Sequence, residues 1–103
     1  MKKLVSINIP SSVTFIEHGA FNGCKSLIHV TIPSSVTQIG SNSFCLCSSL
    51  KEITIPNSVT IIGGEAFYSC TSLTKVTLSS SITSIEYNTF YECSSLVKIN
   101  IPS

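Results

Sequence analysis

The 103-residue sequence contains no arginine, no aspartate and no tryptophan, and only 11% of its residues are charged. An ordinary soluble domain carries about a quarter charged residues. With six lysines against five glutamates the net charge is +1. A near-neutral chain without arginine argues against nucleic acid and anionic membrane as partners. Missing aspartate removes the usual third member of a Ser/His/Asp triad and the ordinary ligand of Mg²⁺ or Ca²⁺. Long apolar runs are also missing, since none approaches the ~20 residues that span a bilayer. The opening Met1-Lys2-Lys3-Leu4-Val5 begins like a signal peptide, but Ser6, Asn8 and Pro10 interrupt the apolar stretch. Neither a targeting segment nor membrane insertion is therefore expected. Disorder is excluded as well, because 43% of the residues are hydrophobic.

What the sequence does have is an internal period. Ile9-Pro10, Ile32-Pro33, Ile55-Pro56 and Ile101-Pro102 recur in register, with Leu78-Ser79 filling the missing place. Phe21, Phe44, Phe67 and Phe90 keep the same spacing, as do Leu4, Leu27, Leu50, Leu73 and Leu96. Val13, Val36, Val59 and Ile82 form one further column and Ile16, Ile39, Ile62 and Ile85 another. A fixed period of about 23 residues without insertion reads as stacked coils. Within a unit, Val30 and Ile32 alternate with His29 and Thr31 as in a half-buried strand. Proline then ends the strand, because it has no N–H to donate to a ladder. Val36 and Ile39 cross the core and Phe44 and Cys47 supply the opposite wall, joined by segments expected to be extended or short 3₁₀ turns. The fold class is thus an α/β-type solenoid, mostly β, with 23-residue repeats and a parallel sheet on one side. Its domain organisation is a single unit over 1–103, about four and a half repeats without obvious caps.

The pattern Leu-x-x-Val-x-Ile-Pro-x-Ser-Val-x-x-Ile-x-x-x-Ala/Ser/Thr-Phe-x-x-Cys-x-Ser resembles the BspA-like leucine-rich repeats over essentially the whole chain. That resemblance implies a right-handed coil with a concave parallel sheet. It also implies surface or host-interaction roles, in bacteria and protozoa.

Five cysteines would suggest disulfides or zinc in another setting. Cys24, Cys47, Cys70 and Cys93 fall in one column, which stacks them along the coil and cannot converge four ligands on one metal. They are expected to be buried, reduced thiols acting as small hydrophobes, which favours a cytoplasmic setting. Cys45 belongs to a column otherwise reading Asn22, Tyr68 and Tyr91, and is expected outside the core and more exposed than Cys47. Thr14, Thr37, Thr60 and Thr83, and Ser26, Ser49, Ser72 and Ser95, are expected to tie turn backbones from coil to coil.

Between the apolar columns lie two exposed rows, Ser6-His29-Glu52-Lys75-Lys98 and Asn8-Thr31-Thr54-Thr77-Asn100. Glu52 beside His29 has the elements of a general-base dyad, yet reads better as a cross-strand charge pair on an open sheet. No activated nucleophile or oxyanion hole accompanies it, so no catalytic, metal or cofactor residue is assigned. Tyr68, Tyr87, Tyr91, Phe15 and His18 read as cover on the outer wall rather than as a binding surface. The expected function is non-enzymatic protein interaction, with His29, Glu52, Lys75, Lys98, Thr31, Thr54 and Thr77 as binding residues for a protein whose identity stays open. The alternative is a self-associating structural unit or a stretch of a longer array. Its contact would be a homo-oligomer through Leu96, Lys98, Ile99 and Ile101, since Lys2 and Lys3 would repel across a symmetric N-terminal contact.

Overall fold

The strands that run into Pro10, Pro33 and Pro56 end there with a two-residue turn. The N–H of Val13, Val36 and Val59 donates to the carbonyl of Pro10, Pro33 and Pro56 at 3.0, 3.1 and 3.0 Å. A second turn starts each unit, with the N–H of Leu27, Leu50, Leu73 and Leu96 donating to Cys24, Cys47, Cys70 and Cys93. The computed structural model describes residues 5–83, 85–86 and 88–100. Leu4, Tyr87 and Ile101, and Lys2 and Lys3, lie outside them. Among the described residues there is no helix, and the segments expected as 3₁₀ pieces are runs of turns.

The strands are β1 (Ser6–Asn8), β2 (Phe15–Ile16), β3 (His29–Thr31), β4 (Gln38–Ile39), β5 (Glu52–Thr54), β6 (Ile61–Ile62), β7 (Lys75–Thr77) and β8 (Lys98–Asn100). All pairing is parallel, with Ile7 opposite Val30, Ile39 opposite Ile62 and Val76 opposite Ile99. A second sheet not foreseen from the sequence, β2-β4-β6, forms where the chain returns across the core. The first sheet is interrupted. β1 pairs with β3, and β5 with β7 and β8, but β3 and β5 form no ladder.

The inward columns pack as the periodicity requires. Leu27, Leu50 and Leu73, Val36 and Val59, and Phe44 and Phe67 are fully buried. Phe21, Phe44, Phe67 and Phe90 stack nearly parallel, with ring centroids 5.3, 5.4 and 5.4 Å apart. Spacing of this kind suits offset aromatic pairs. On this wall the backbone N–H groups alternate in destination. Phe44 and Leu46 donate to Ala66 and Tyr68 of the next coil, while Cys45 and Cys47 donate to Asn42 and Phe44 of their own.

Two residues in each of the first three coils, and Glu92 in the fourth, take left-handed backbone on this wall. In the first coil they are Gly19 and Gly23, with φ of 69° and 77°. Later coils place Asn42, Leu46, Glu65, Ser69 and Glu92 there, with φ between 57° and 63°. Such backbone is disfavoured by about 1–2 kcal/mol for an ordinary residue. Two hydrogen bonds offset part of it, Asn42 Nδ2 to Glu65 Oε1 at 3.2 Å and Ser69 Oγ to Glu92 Oε1 at 2.9 Å.

Candidate interaction surface

Strand alternation turns Ile53 and Ile55 into the core and leaves Glu52 and Thr54 outside. The same logic exposes Ser6, His29 and Lys75, with Asn8 and Thr31, while Thr77 is half-buried. Thr31, Thr54 and Thr77 share one row, and Lys98 is held in register against Lys75 through the pairing of β7 with β8. Glu52 stands opposite Lys75 in the ladder, the cross-strand arrangement expected.

His29 is on the far side of the interruption from Glu52. The bond joining Ile9 N–H to Thr31 O, and Ile55 N–H to Thr77 O, has no counterpart from Ile32 to Thr54. Only Lys51 N–H reaches across, to Ile28 O at 3.5 Å. A groove of about 500 Å³ opens along this seam, lined by His29, Thr31, Glu52, Thr54 and Pro56 among others. It offers hydroxyls, a carboxylate and an imidazole but no enclosed wall, which suits binding better than bond-making chemistry. Among the described residues no group of three or more His, Cys, Asp or Glu could hold a metal. No helix among the described residues is long and apolar enough to cross a membrane.

Cys47 and Cys70 are fully buried, and Cys24 and Cys93, nearer the ends, are half-buried. They do more than fill space. The thiols of Cys47, Cys70 and Cys93 donate to the carbonyls of Phe21, Phe44 and Phe67 at 3.2, 3.1 and 3.0 Å. Burial pushes the Cys47 thiol up from 9.0 to about 12, helped by Cys24 alongside. The Cys70 thiol is also pushed up, first by the neighbouring Cys93 thiol and then by burial.

Cys45 is more exposed than Cys47 and lies outside the main apolar cluster, as expected, but at 8% exposure it is still buried. Its neighbours in the column are Asn22 and Tyr68, and stacking of coils on both sides covers the small side chain. Tyr68 and Tyr91 meet edge to face at 5.6 Å, with Tyr91 exposed. Glu92 beside the Tyr68 phenol raises its pKa, with burial, Tyr91 and Glu65 adding to the effect.

The coil-to-coil ties come partly from unexpected residues. Thr37 and Thr60 hydroxyls donate to Thr14 and Thr37 carbonyls at 3.2 and 3.4 Å, as the threonine column suggests. Among the described residues, the matching serine ties come from Ser35 and Ser58, to Val13 O and Val36 O at 2.7 and 2.6 Å, rather than from Ser26, Ser49 and Ser72. The signal for them was the recurrence of serine two residues beyond each proline.

Rows of side chains on stacked coils, with no cleft around them, define a repeat protein built for extended contact. The family described as BspA type leucine rich repeat region matches residues 1–103 in six copies, and the chain belongs to it. A leucine rich cell surface protein from Faecalibacterium prausnitzii matches with TM-score 0.94 and 35% identity, over 97% of this chain and 26% of that one. The T. pallidum leucine rich repeat protein matches at 0.88 and 36%, over 92% and 44%. A leucine-rich repeat protein from Bacteroides ovatus matches at 0.64 and 36%, over 94% and 31%. The chain therefore spans less than half the length of each of these proteins. No curated protein matches the sequence.

Proposed function

We propose that the chain is a non-enzymatic protein-interaction module, one right-handed solenoid over residues 1–103 whose strand face is concave and receives a macromolecular partner. The observation that carries this reading is the exposed polar face on a regular apolar backing, His29, Glu52 and Lys75 beside Thr31 and Thr54. A rigid face of this kind holds many weak contacts in fixed order without ordering a loop on binding. A role in adhesion at a cell surface is consistent with the F. prausnitzii relative, which is named as a cell surface protein. Alanine at His29, Glu52, Lys75, Lys98, Thr31, Thr54 and Thr77 together should abolish capture of a partner. Full retention of binding would overturn the strand-face assignment.

A second reading, self-association through the ends, is favoured by a separate observation. Val97 is 85% exposed and Ile99 39% on the last strand, and Leu96 beside them is half-buried. At the opposite end an apolar groove of about 270 Å³ is lined by Ile7, Val13, Phe15 and Phe21 among others. Ile101, assigned to the same contact, lies outside the described residues. Association through the C-terminal strand would pair β8 with its copy about a two-fold axis. Light scattering at micromolar concentration should give a mass of two chains, and Val97→Lys should return it to one. A mass of one chain for the unaltered protein would remove this reading.

A further inference from the structure

The near-zero net charge conceals a segregation of charge. Lys25, Lys51 and Lys75 are exposed on the strands or the turns that lead into them, and Lys98 begins the described part of β8. Of the glutamates, Glu52 alone shares that side. Glu17, Glu65, Glu86 and Glu92 all stand on the opposite wall, beyond β2, β4 and β6 or among the turns that follow. Glu65 and Glu92 accept hydrogen bonds from Asn42 and Ser69, which fixes them on that wall. Among the described residues no lysine lies there. The strand side therefore has an excess of positive charge and the turn side an excess of negative charge, a division that a net charge cannot show.

We propose that the strand face binds an acidic, extended protein segment, a proposal that rests on the interaction-module reading and specifies its partner. Charge complementarity selects the sign, because Lys51 and Lys75 are exposed on or beside the strands, with Lys98 in register next to Lys75, against one carboxylate. The residues present select protein over nucleic acid. With no arginine there is no planar fork for phosphate. Every Phe and Tyr also falls outside β1, β3, β5, β7 and β8, so on this face bases would find only the His29 imidazole to stack on. The groove at the β3/β5 seam supplies the remaining contacts. Thr31 and Thr54 hydroxyls and the His29 imidazole lie where a peptide running along the coil axis would pass. Glu52 is the one group there that opposes an acidic guest, and its register partner Lys75 partly compensates it.

The test uses the full chain and a fluorescein-labelled peptide alternating glutamate and serine, beside matched lysine-serine and glycine-serine peptides, heparin and single-stranded DNA. Fluorescence anisotropy should show the acidic peptide binding, and weakening by about tenfold or more between about 50 mM and about 200 mM salt. Glu52→Lys should strengthen binding several-fold, which a loss of structure could not do. Combined Lys51→Glu, Lys75→Glu and Lys98→Glu should abolish it while circular dichroism stays unchanged. Failure of the acidic peptide to bind overturns the proposal, as does a preference for heparin or DNA. Binding of the glycine-serine or lysine-serine peptide that is lost on Thr31→Ala and Thr54→Ala would overturn the acidic partner yet keep the interaction module. Peptide binding unaffected by every strand-face change would overturn both.

Discussion

The second and third coils differ from the fourth at the corner that follows the return strand, and the difference shows what this repeat demands. After β4 and β6 the chain turns at Gly40 and Gly63, whose N–H groups donate to Ile16 O and Ile39 O, both at 2.8 Å. A side chain at Gly63 would place its Cβ 2.4 Å from Ser41 N, and one at Gly40 would meet His18 N at 2.7 Å. Only glycine lets the coils approach that closely. In the fourth coil the place belongs to Glu86, and no corresponding bond to Ile62 is made among the described residues. Its neighbour Ile85 is 38% exposed, where Ile16, Ile39 and Ile62 are 3%, 1% and 4% exposed. The apolar column continues in the sequence, but in the fourth coil it is left part-exposed where the glycine and its bond to the preceding coil are replaced. Ile16, beside Glu17, is instead buried by the pairing of β2 with β4.

The largest effect should come from closing that corner. Gly63→Ala is expected to lower stability by about 3 kcal/mol, because the Cβ collides with backbone rather than with a flexible side chain. Glu86→Ala should stay within about 0.5 kcal/mol of the unaltered chain. Urea unfolding of the two variants measures both. Equal losses would mean that the fourth coil is packed like its predecessors.

The thiol column separates the interior from the ends in a way that pH can read. Cys47 is pushed up by burial from 9.0 to about 12, so the folded chain holds its proton where the unfolded chain has released it. The stabilisation is complete below pH 9.0 and is lost as pH rises toward 12. By pH ~10 the loss for this one thiol amounts to about 1.4 kcal/mol. Cys47→Ala should flatten the stability profile between about pH 9 and about pH 10, measured by urea titration at each pH. An unchanged slope would show that the thiol is not protected by the fold. Native alkylation should also modify the half-buried Cys24 before Cys47 or the buried Cys45.

Most of the fold was legible because burial at one residue per column repeats its signal in every unit. The Leu27, Phe44 and Ile39 columns announce themselves in this way, and so do the exposed rows of His29 and Thr31. What escaped the sequence were features carried by one coil only, or by backbone. The seam between β3 and β5 has no residue that marks it, since His29-Val30-Thr31 and Glu52-Ile53-Thr54 pattern alike. Cys45 was rightly ranked as more exposed than Cys47, but its burial was missed because its column is polar and aromatic, while that burial follows from small size between stacked coils. The left-handed positions were encoded more faintly, by glycine at Gly19 and Gly23 in one coil and by asparagine at Asn42 in the next. The segregation of lysine from glutamate appears only when the repeat is superimposed on itself.

A smaller effect distinguishes two members of one buried column. Ser43 donates its hydroxyl to Gly40 O and, at 3.3 Å, to Glu17 O. Thr89 is equally buried, but its Oγ1 has no hydrogen-bond partner among the described residues. Leaving a buried hydroxyl unpaired costs about 1–3 kcal/mol, whereas replacing it by an apolar group of the same shape recovers part of that. Thr89→Val should therefore raise stability by about 1 kcal/mol, and Ser43→Ala should lower it by about as much. Thermal unfolding of the pair gives opposite signs if the fourth coil holds an orphan group, and the same sign if it does not.

The smallest expected change carries the comparison back to the first coil, which uses glycine where later coils do not. Leu46 has φ of 63° and is 45% exposed, so it bears left-handed backbone with little burial in return. Glycine fits the same backbone at Gly23 in the first coil, with φ of 77° and open space around its Cα. Leu46→Gly removes a steric penalty of about 1 kcal/mol in the folded chain. It also loosens the unfolded chain, which takes back about half of that. The net gain should be about 0.5 kcal/mol by urea unfolding, with Leu46→Asn falling between the two because asparagine tolerates this backbone. Glu65→Gly tests the same backbone with a contact attached, since it forfeits the Asn42 hydrogen bond, and should gain nothing. If Leu46→Gly destabilises as much as glycine does in an ordinary extended segment, the exposed leucine must contribute packing that outweighs its strain, and coil-to-coil differences at this position reflect side chains rather than backbone.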